Sequence, residues 1–464
     1  MIDQLQAMRR YFESGAPRSY SFRKEQLKKL KDGLQKHEQE MHEALHTDLK
    51  KSPEESWVTE TGFLQSEINE TLRRLRRWMS PEKRKTNLVN FPSKSYVLHE
   101  PLGVVLIIGP WNYPLQLLFT PLVGAIAAGN CVVLKPSEFA PAVSAVMKKV
   151  IGENFSNEYI LYVEGDGAQV VPEMMNGFRF DHVFYTGSTT VGKIIYKMAA
   201  EKLVPVTLEL GGKSPCVVED DANIKVAARR IAMTKFSNAG QMCVAPDYVL
   251  VQENVKEKLI SELKQTLKIF FSDNPSENYN YCKIINERQF KRLINYLNNA
   301  RTDDPVGRGE IVCGGKYDAS KLYIEPTIIE SVSIDTPVMN DEIFGPILPI
   351  VTFKNFEEAK SIINRHPDPL AFYVYTSSKQ KEKKWLQEIP SGGACVNNSS
   401  WHLTNYNLPF GGRGNSGIGE YHGKNSFEIF SHKKAIMKTP TWFDPDIKYP
   451  PFKGKLKLFK WVIR

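Results

Sequence analysis

Between residues 22 and 49 the apolar positions Leu27, Leu30, Leu34, Met41, Leu45 and Leu49 recur at helical spacing, with lysines and glutamates between them. The pattern predicts one amphipathic helix across 22–49. A second helix is predicted over roughly 59–79, with Phe63, Leu64, Ile68, Leu72 and Leu75 inward and Pro81 beyond its end. The character then changes. Residues 81–98 (PEKRKTNLVNFPSKSYVL) are polar and alternating, which suits an exposed hairpin or arm rather than a core element.

From residue 102 the chain repeats strand, turn and helix. LGVVLIIG is a continuous apolar run ending at Gly109 and Pro110. GNCVVLKPSE ends at Lys135, Pro136 and Ser137, and DHVFYTGS ends at Gly187 and Ser188. Buried runs that alternate with helical segments indicate a parallel sheet covered on both faces. A second series begins near VTLELGG and continues through SPCVVED, DYVLVQ, LPIVTF and AFYVYT. The fold expected is α/β: two doubly wound lobes divided near residue 209, plus a small β arm. No internal repeat or low-complexity tract interrupts the pattern.

Length and composition leave that picture intact. A chain of 464 residues with 42% hydrophobic and 24% charged content is a folded protein of two or three domains. Lys plus Arg (61) exceeds Asp plus Glu (52), and part of the formal +9 sits in Lys453, Lys455, Lys457, Lys460 and Arg464. A spread excess favours anionic cofactors modestly and does not indicate nucleic acid, for which no RNP aromatics or finger-type Cys/His array is present. Six dispersed cysteines without a C-x-x-C imply reduced thiols, and the N-terminus lacks an apolar signal region. No apolar run approaches membrane-spanning length. A cytoplasmic location is expected, and no metal site.

Candidate chemistry gathers at strand ends, where doubly wound sheets bind ligands. The turn from Gly187 to Gly192 (GSTTVG) follows a strand and opens a helix, so it is either a phosphate cradle or a glycine-capped turn. Lys135 and Glu138 place an ammonium and a carboxylate at one strand end, for ribose hydroxyls or as a surface ion pair. Cys243, in SNAGQMCVAPDY, would by itself be read as structural. Its company changes that reading. Glu209 lies between Leu208 and Leu210, where a desolvated carboxyl has a raised pKa and serves as a base. Asn112, in GPWNYP, adds a neutral donor. Nucleophile, base and oxyanion donor are the parts that thioester chemistry needs.

In order along residues 100–425, PLGVVLIIGPWNYP, KPSE, YTGSTTVG, LELGGKSP, NAGQMCVAPDY, EIFGP and LPFGGRGNSGIG resemble the aldehyde dehydrogenase superfamily. The short N-terminus and the CVAPDY context resemble its class 3 branch, which acts on fatty and aromatic aldehydes. The resemblance implies an NAD-binding domain of residues 1–80 and 99–208, an oligomerisation arm at 81–98 and a catalytic domain at 209–394. Residues 395–464 would form a return strand, C-terminal segment and tail. It implies Cys243 as nucleophile, Asn112 and the Cys243 backbone N–H as oxyanion donors, and Glu209 as the base that activates water. Lys135 and Glu342 would hold the two riboses, Phe344 the nicotinamide side, and Gly187 and Ser188 the pyrophosphate, with Trp111, Glu138, Thr186, Gly192 and Leu210 completing the cofactor site.

NAD is the expected cofactor because Glu138 beside the adenosine ribose would repel a 2′-phosphate, although the branch tolerates NADP. A homodimer is implied, built from the arm and a strand near 395–400. Met242 before Cys243 departs from the small residue relatives often carry there, and it serves either apolar substrates or packing. The tail KYPPFKGKLKLFKWVIR suits a membrane surface, with packing over the substrate mouth or a dimer partner favoured over it. Two rival activities remain: a coenzyme A-acylating dehydrogenase, which generally lacks the base at the Glu209 position, and a cysteine hydrolase, which needs a histidine partner.

Overall fold

The two apolar series build two separate sheets. The computed structural model describes residues 1–300 and 309–463. In the first sheet the strands lie in the order Gly417–Ile418, Val206–Leu210, His182–Gly187, Val104–Ile108, Cys131–Lys135, Ile160–Tyr162. All neighbours are parallel except Gly417–Ile418, which returns antiparallel to Val206–Leu210. The chain therefore enters at the middle, winds to one edge, and resumes on the other side. The winding reverses between Val104–Ile108 and His182–Gly187, and a crevice opens at the carboxyl ends of such a pair.

Val104–Ile108 and Cys131–Lys135 are buried along their whole length, as strands covered on both faces must be. One cover is the helix Pro114–Ala128, in which every residue is buried, with Pro114 at its first turn and Gly129 closing it in the left-handed region (φ 91°). A helix apolar all round belongs inside a core.

The second sheet runs Glu310–Cys313, Thr327–Glu330, Ile347–Phe353, Tyr248–Gln252, Pro215–Val218, Ala371–Tyr375, Gly393–Val396. It is parallel except at its first pair. The strand that carries Glu209 belongs whole to the first sheet, and the chain crosses to the second between Leu210 and Pro215.

One expectation is corrected and two are extended. The helix predicted across 22–49 is two helices, Tyr20–Lys36 and Glu38–Leu49, parted at His37 (φ −106°, ψ 18°). The buried His37 ring bonds Glu40 and Glu153, each at 2.9 Å, and Glu153 lies on the helix Pro141–Asn154 against which both pieces pack. The second helix is Gly62–Trp78, entered through a π-helical turn at Trp57–Thr61, and a further helix, Ile2–Glu13, precedes everything the spacing predicted. The arm is a hairpin of Glu82–Arg84 and Lys94–Pro101 with a third strand, Ser431–Lys438, drawn from the C-terminal segment.

The tail forms a short helix, Leu456–Val462, and leaves Trp442, Leu456 and Trp461 more than 60% exposed, while Arg464 lies outside the described residues. No helix among the described residues is long and apolar enough to cross a membrane.

Candidate active site

At the winding reversal a cavity of about 450 Å³ lies between the two sheets. The turn after Val104–Ile108 contributes Trp111 and Asn112, and the end of His182–Gly187 contributes Thr186, Gly187 and Ser188. Glu209 and Leu210 come from the next strand, and Cys243, Glu342 and Phe344 from loops of the second sheet's half. Of the residues singled out in the sequence, Lys135, Glu138, Gly192 and Met242 do not line it, and Met242 packs partly buried against the core. Gly192 sits behind it, where a Cβ would lie 2.5 Å from Leu210 Cδ2, so its smallness serves helix–strand packing.

Cys243 follows a contorted loop. Asn238 (φ 48°), Ala239 (φ 50°) and Gly240 (φ 73°) are left-handed in succession, and a Cβ on Gly240 would lie 2.2 Å from the Gly345 carbonyl oxygen. Non-glycine residues in this region cost on the order of 1–3 kcal/mol each and persist only when their surroundings fix them. Here Glu55 accepts from the Asn238 backbone N–H (2.8 Å), and the Asn238 amide donates to the Asn112 carbonyl (2.8 Å) and the Gln241 carbonyl (3.2 Å). The Gln241 side chain donates to Lys283 O and accepts from Ile285 N, both at 3.0 Å. The Cys243 thiol is thereby fixed in a half-buried position. Burial, then the carboxylates of Glu342 and Glu209, push its pKa up to about 12, against its own and the Val244 backbone N–H groups.

Glu209 is 3% exposed, and neither carboxylate oxygen has a hydrogen-bond partner among the described residues. Burial, with Glu420 second, holds its carboxyl well above the usual range. Buried polar atoms are seldom left unpaired, and in a cavity an unpaired carboxyl is free to meet water or substrate. Thr186 Oγ1 is likewise buried without a partner. Asn112, 2% exposed, spends one amide hydrogen on the Gln241 carbonyl (3.0 Å) and keeps one for the cavity.

Glu342 folds over Gly211, where a Cβ would lie 2.0 Å from Glu342 Oε2, and accepts from the Gly212 backbone N–H. Burial, then Asp247, raises its pKa to about 8. Phe344 (φ 45°) meets Trp111 edge-on at 5.3 Å. Two ion-bearing groups hold this turn. Arg292 donates to the carbonyls of Glu342 (3.2 Å) and Ile343 (2.7 Å), and Asp247, paired with buried Lys213 at 2.5 Å, accepts from Ile343 N. Arg292 carried no sequence signal. Lys213 and Asp247 stood inside quoted motifs without a role.

Lys135 and Glu138 form their own cluster at the end of Cys131–Lys135. Lys135 is 1% exposed, bonded to Pro136 O (2.6 Å) and Glu138 (3.2 Å), and Glu138 also accepts from Gly167 N at a helix start. The ammonium is buried while Glu138 is exposed, so the pair sits where a buried strand end meets solvent. These groups fit a dinucleotide: ribose hydroxyl partners at one strand end, and a helix N-terminus capped by Ser188 at the next. The orphaned Thr186 hydroxyl is a further polar atom in search of a ligand.

The model of the aldehyde dehydrogenase family matches residues 3–436. The chain is 45% identical over 450 residues to 4,4′-diaponeurosporen-aldehyde dehydrogenase of Staphylococcus aureus, covering 97% of this chain and 96% of that protein. It is 44% identical to aldehyde dehydrogenase family 3 member B1 of Homo sapiens, over 97% of this chain and 94% of the relative. Its structure matches the substrate-bound state of Staphylococcus aureus AldH with a TM-score of 0.96 and 43% identity, covering 100% and 99% of the two chains.

Proposed function

We propose that this chain, which belongs to the aldehyde dehydrogenase family and is an NAD(P)-dependent enzyme of the class 3 kind, oxidises medium- or long-chain aliphatic or aromatic aldehydes to free acids. Cys243 is the nucleophile, NAD the preferred acceptor and water the final acyl acceptor. The observation that carries this reading is the buried, unpartnered Glu209 carboxyl lining the same cavity as Cys243 and Asn112.

The thiolate of Cys243 adds to the aldehyde carbon, and the Asn112 amide with the Cys243 backbone N–H receives the oxygen as its charge develops. Donors fixed before the reaction stabilise that charge without reorganising. When bound, the dinucleotide supplies the hydride acceptor. Loss of hydride from the thiohemiacetal carbon leaves a thioester on Cys243. Glu209 then takes a proton from water, whose oxygen attacks the thioester, and collapse of the adduct frees the acid and the Cys243 thiolate. Trp111, Leu117, Leu370, Phe410 and Tyr421 give the cavity an apolar wall suited to a hydrocarbon or aromatic tail.

Glu209 argues against transfer to coenzyme A, because a base at that position activates water. A cysteine hydrolase is disfavoured because no histidine lines the cavity; His422 is buried against Phe410 with its pKa pushed down to about 3. The carboxylate of Glu138, against a 2′-phosphate, supports NAD over NADP. Gly393–Val396 is an edge strand and the arm sheet has open edges, which supports the homodimer. The tail does not line the cavity of its own chain, so its exposed aromatics and lysines support a peripheral membrane contact or a partner's surface.

The test is NADH formation at 340 nm with aldehydes from acetaldehyde to long-chain and aromatic ones. Turnover rising with apolar chain length is the expected outcome. No reduced cofactor with any aldehyde sinks the proposal. Flotation with anionic liposomes, comparing the full chain with one ending at residue 446, tests the tail, and equal binding by both rejects the membrane contact.

A further inference from the structure

A buried ion pair stands under the proposed oxyanion donor. Lys51 and Glu60 are both 0% exposed and 2.6 Å apart. Glu60 sits in the π-helical turn Trp57–Thr61, a distortion that often marks functional sites. Its second oxygen accepts from the backbone N–H groups of Leu115 (2.9 Å) and Gln116 (3.2 Å). It thus caps the helix Pro114–Ala128, whose N-cap residue Tyr113 makes no side-chain cap. Lys51 donates to the Asn112 carbonyl (3.2 Å) and lies 3.9 Å over the Tyr113 ring. The Asn112 carbonyl also accepts from Asn238, in the loop that leads to Cys243. One carbonyl therefore joins the pair to the loop that fixes the nucleophile.

A buried pair is weak support for stability, since desolvation offsets most of its attraction. Its geometry serves position instead. We propose that Lys51 and Glu60 are positioning residues, which hold the Asn112 backbone so that its side-chain amide meets the oxyanion formed at Cys243. This rests on the role proposed above for Asn112. The pair does not line the cavity and reaches it through the Asn112 backbone carbonyl, to which Lys51 donates.

Three consequences separate this from a merely structural role. Replacing both partners, K51M with E60Q, removes the two charges together, so nearby Glu55 loses the attraction of Lys51 and the repulsion of Glu60 at once, and the glutamine still offers an oxygen to Leu115 and Gln116. That variant loses kcat on the order of tenfold or more, because sub-ångström misplacement of a reacting group is costly. Its aldehyde KM stays within about threefold, because the loss is confined to the transition state. In an N112A background the same double substitution costs less than about twofold, since residues acting as one unit are non-additive.

The experiment is that cycle of four enzymes, read by steady-state kcat and KM and by circular dichroism for folding. A loss from K51M/E60Q that persists in full on N112A overturns the inference, as does a change in KM with kcat intact. If N112A itself retains near wild-type kcat, the oxyanion role of Asn112 is overturned and this inference with it. Should K51M/E60Q not fold, E60D keeps the charge but shortens its reach to Leu115 and Gln116, and the same cycle on E60D supports or overturns the inference on the same criteria.

Discussion

Glu209→Gln isolates the base from everything else in the cavity. The substitution keeps the volume and removes only the ability to accept a proton. Positioned general bases contribute about a hundred- to ten-thousandfold, so steady-state turnover should fall by that range. Cys243 and Asn112 are untouched, so a rapid burst of NADH near one equivalent per site should remain, followed by a slow phase as the acyl-enzyme accumulates. Stability should move the opposite way. The Glu209 carboxyl, 3% exposed and unpartnered, has a folded pKa above its unfolded one.

Such a group contributes fully below the unfolded pKa. Its contribution is lost as pH rises, at about 1.4 kcal/mol per pH unit until the folded pKa is passed. Glutamine carries no such loss. The variant's melting temperature should therefore exceed the wild type's by a margin that grows from mildly acidic to alkaline pH. Stopped-flow absorbance at 340 nm and thermal melts across pH check both. Disappearance of the burst together with turnover, or a thermal margin that shrinks as pH rises, would refute the reasoning.

With the Cys243 thiol pushed up to about 12, iodoacetamide should inactivate the free enzyme slowly at neutral pH, and the rate should climb about tenfold per pH unit; a plateau below pH 9 would count against the buried-thiol electrostatics. Glu138→Gln should raise the NADP to NAD ratio of kcat/KM by about tenfold, since Glu138 is exposed and a charge near a phosphate is worth on the order of 1 kcal/mol in a water-like dielectric; an unchanged ratio would displace Glu138 from the adenosine ribose. Gly240→Ala places a methyl 2.2 Å from Gly345 O at φ 73°. It should lower the melting temperature and cut activity through Cys243; native-like values of both would mean the loop relaxes freely.

What the sequence revealed follows from locality. Val104–Ile108, Cys131–Lys135 and His182–Gly187 were visible because strands buried on both faces are continuous apolar runs, and each run ended at a residue that lines or flanks the crevice. Cys243, Glu209 and Asn112 share the cavity, although only Glu209 and Asn112 stand at or just beyond strand ends and Cys243 lies on the loop before Tyr248–Gln252. The break at His37 was hidden because its cause, Glu153, lies more than a hundred residues away. The same holds for Lys51, Glu55 and Glu60, whose charges have no task in the sequence pattern until the fold sets them beneath residues 112–116 and 238. Arg292 shows no local pattern at all; only the approach of the 342–343 carbonyls gives it a task. The arm's third strand, Ser431–Lys438, is polar enough to pass for loop.

The return strand has a temporal consequence. Glu209 is paired across its open side by Gly417, so the strand bearing the base has no outer neighbour until some two hundred further residues have been made. At about 5–20 residues per second, a ribosome takes on the order of ten to forty seconds to deliver them. Through that interval the nascent chain presents an apolar, unpaired strand edge, the kind of template on which other chains nucleate. Substitutions that weaken Gly417–Ile418 should thus first appear as poor soluble yield, in protein that is fully active once it has closed.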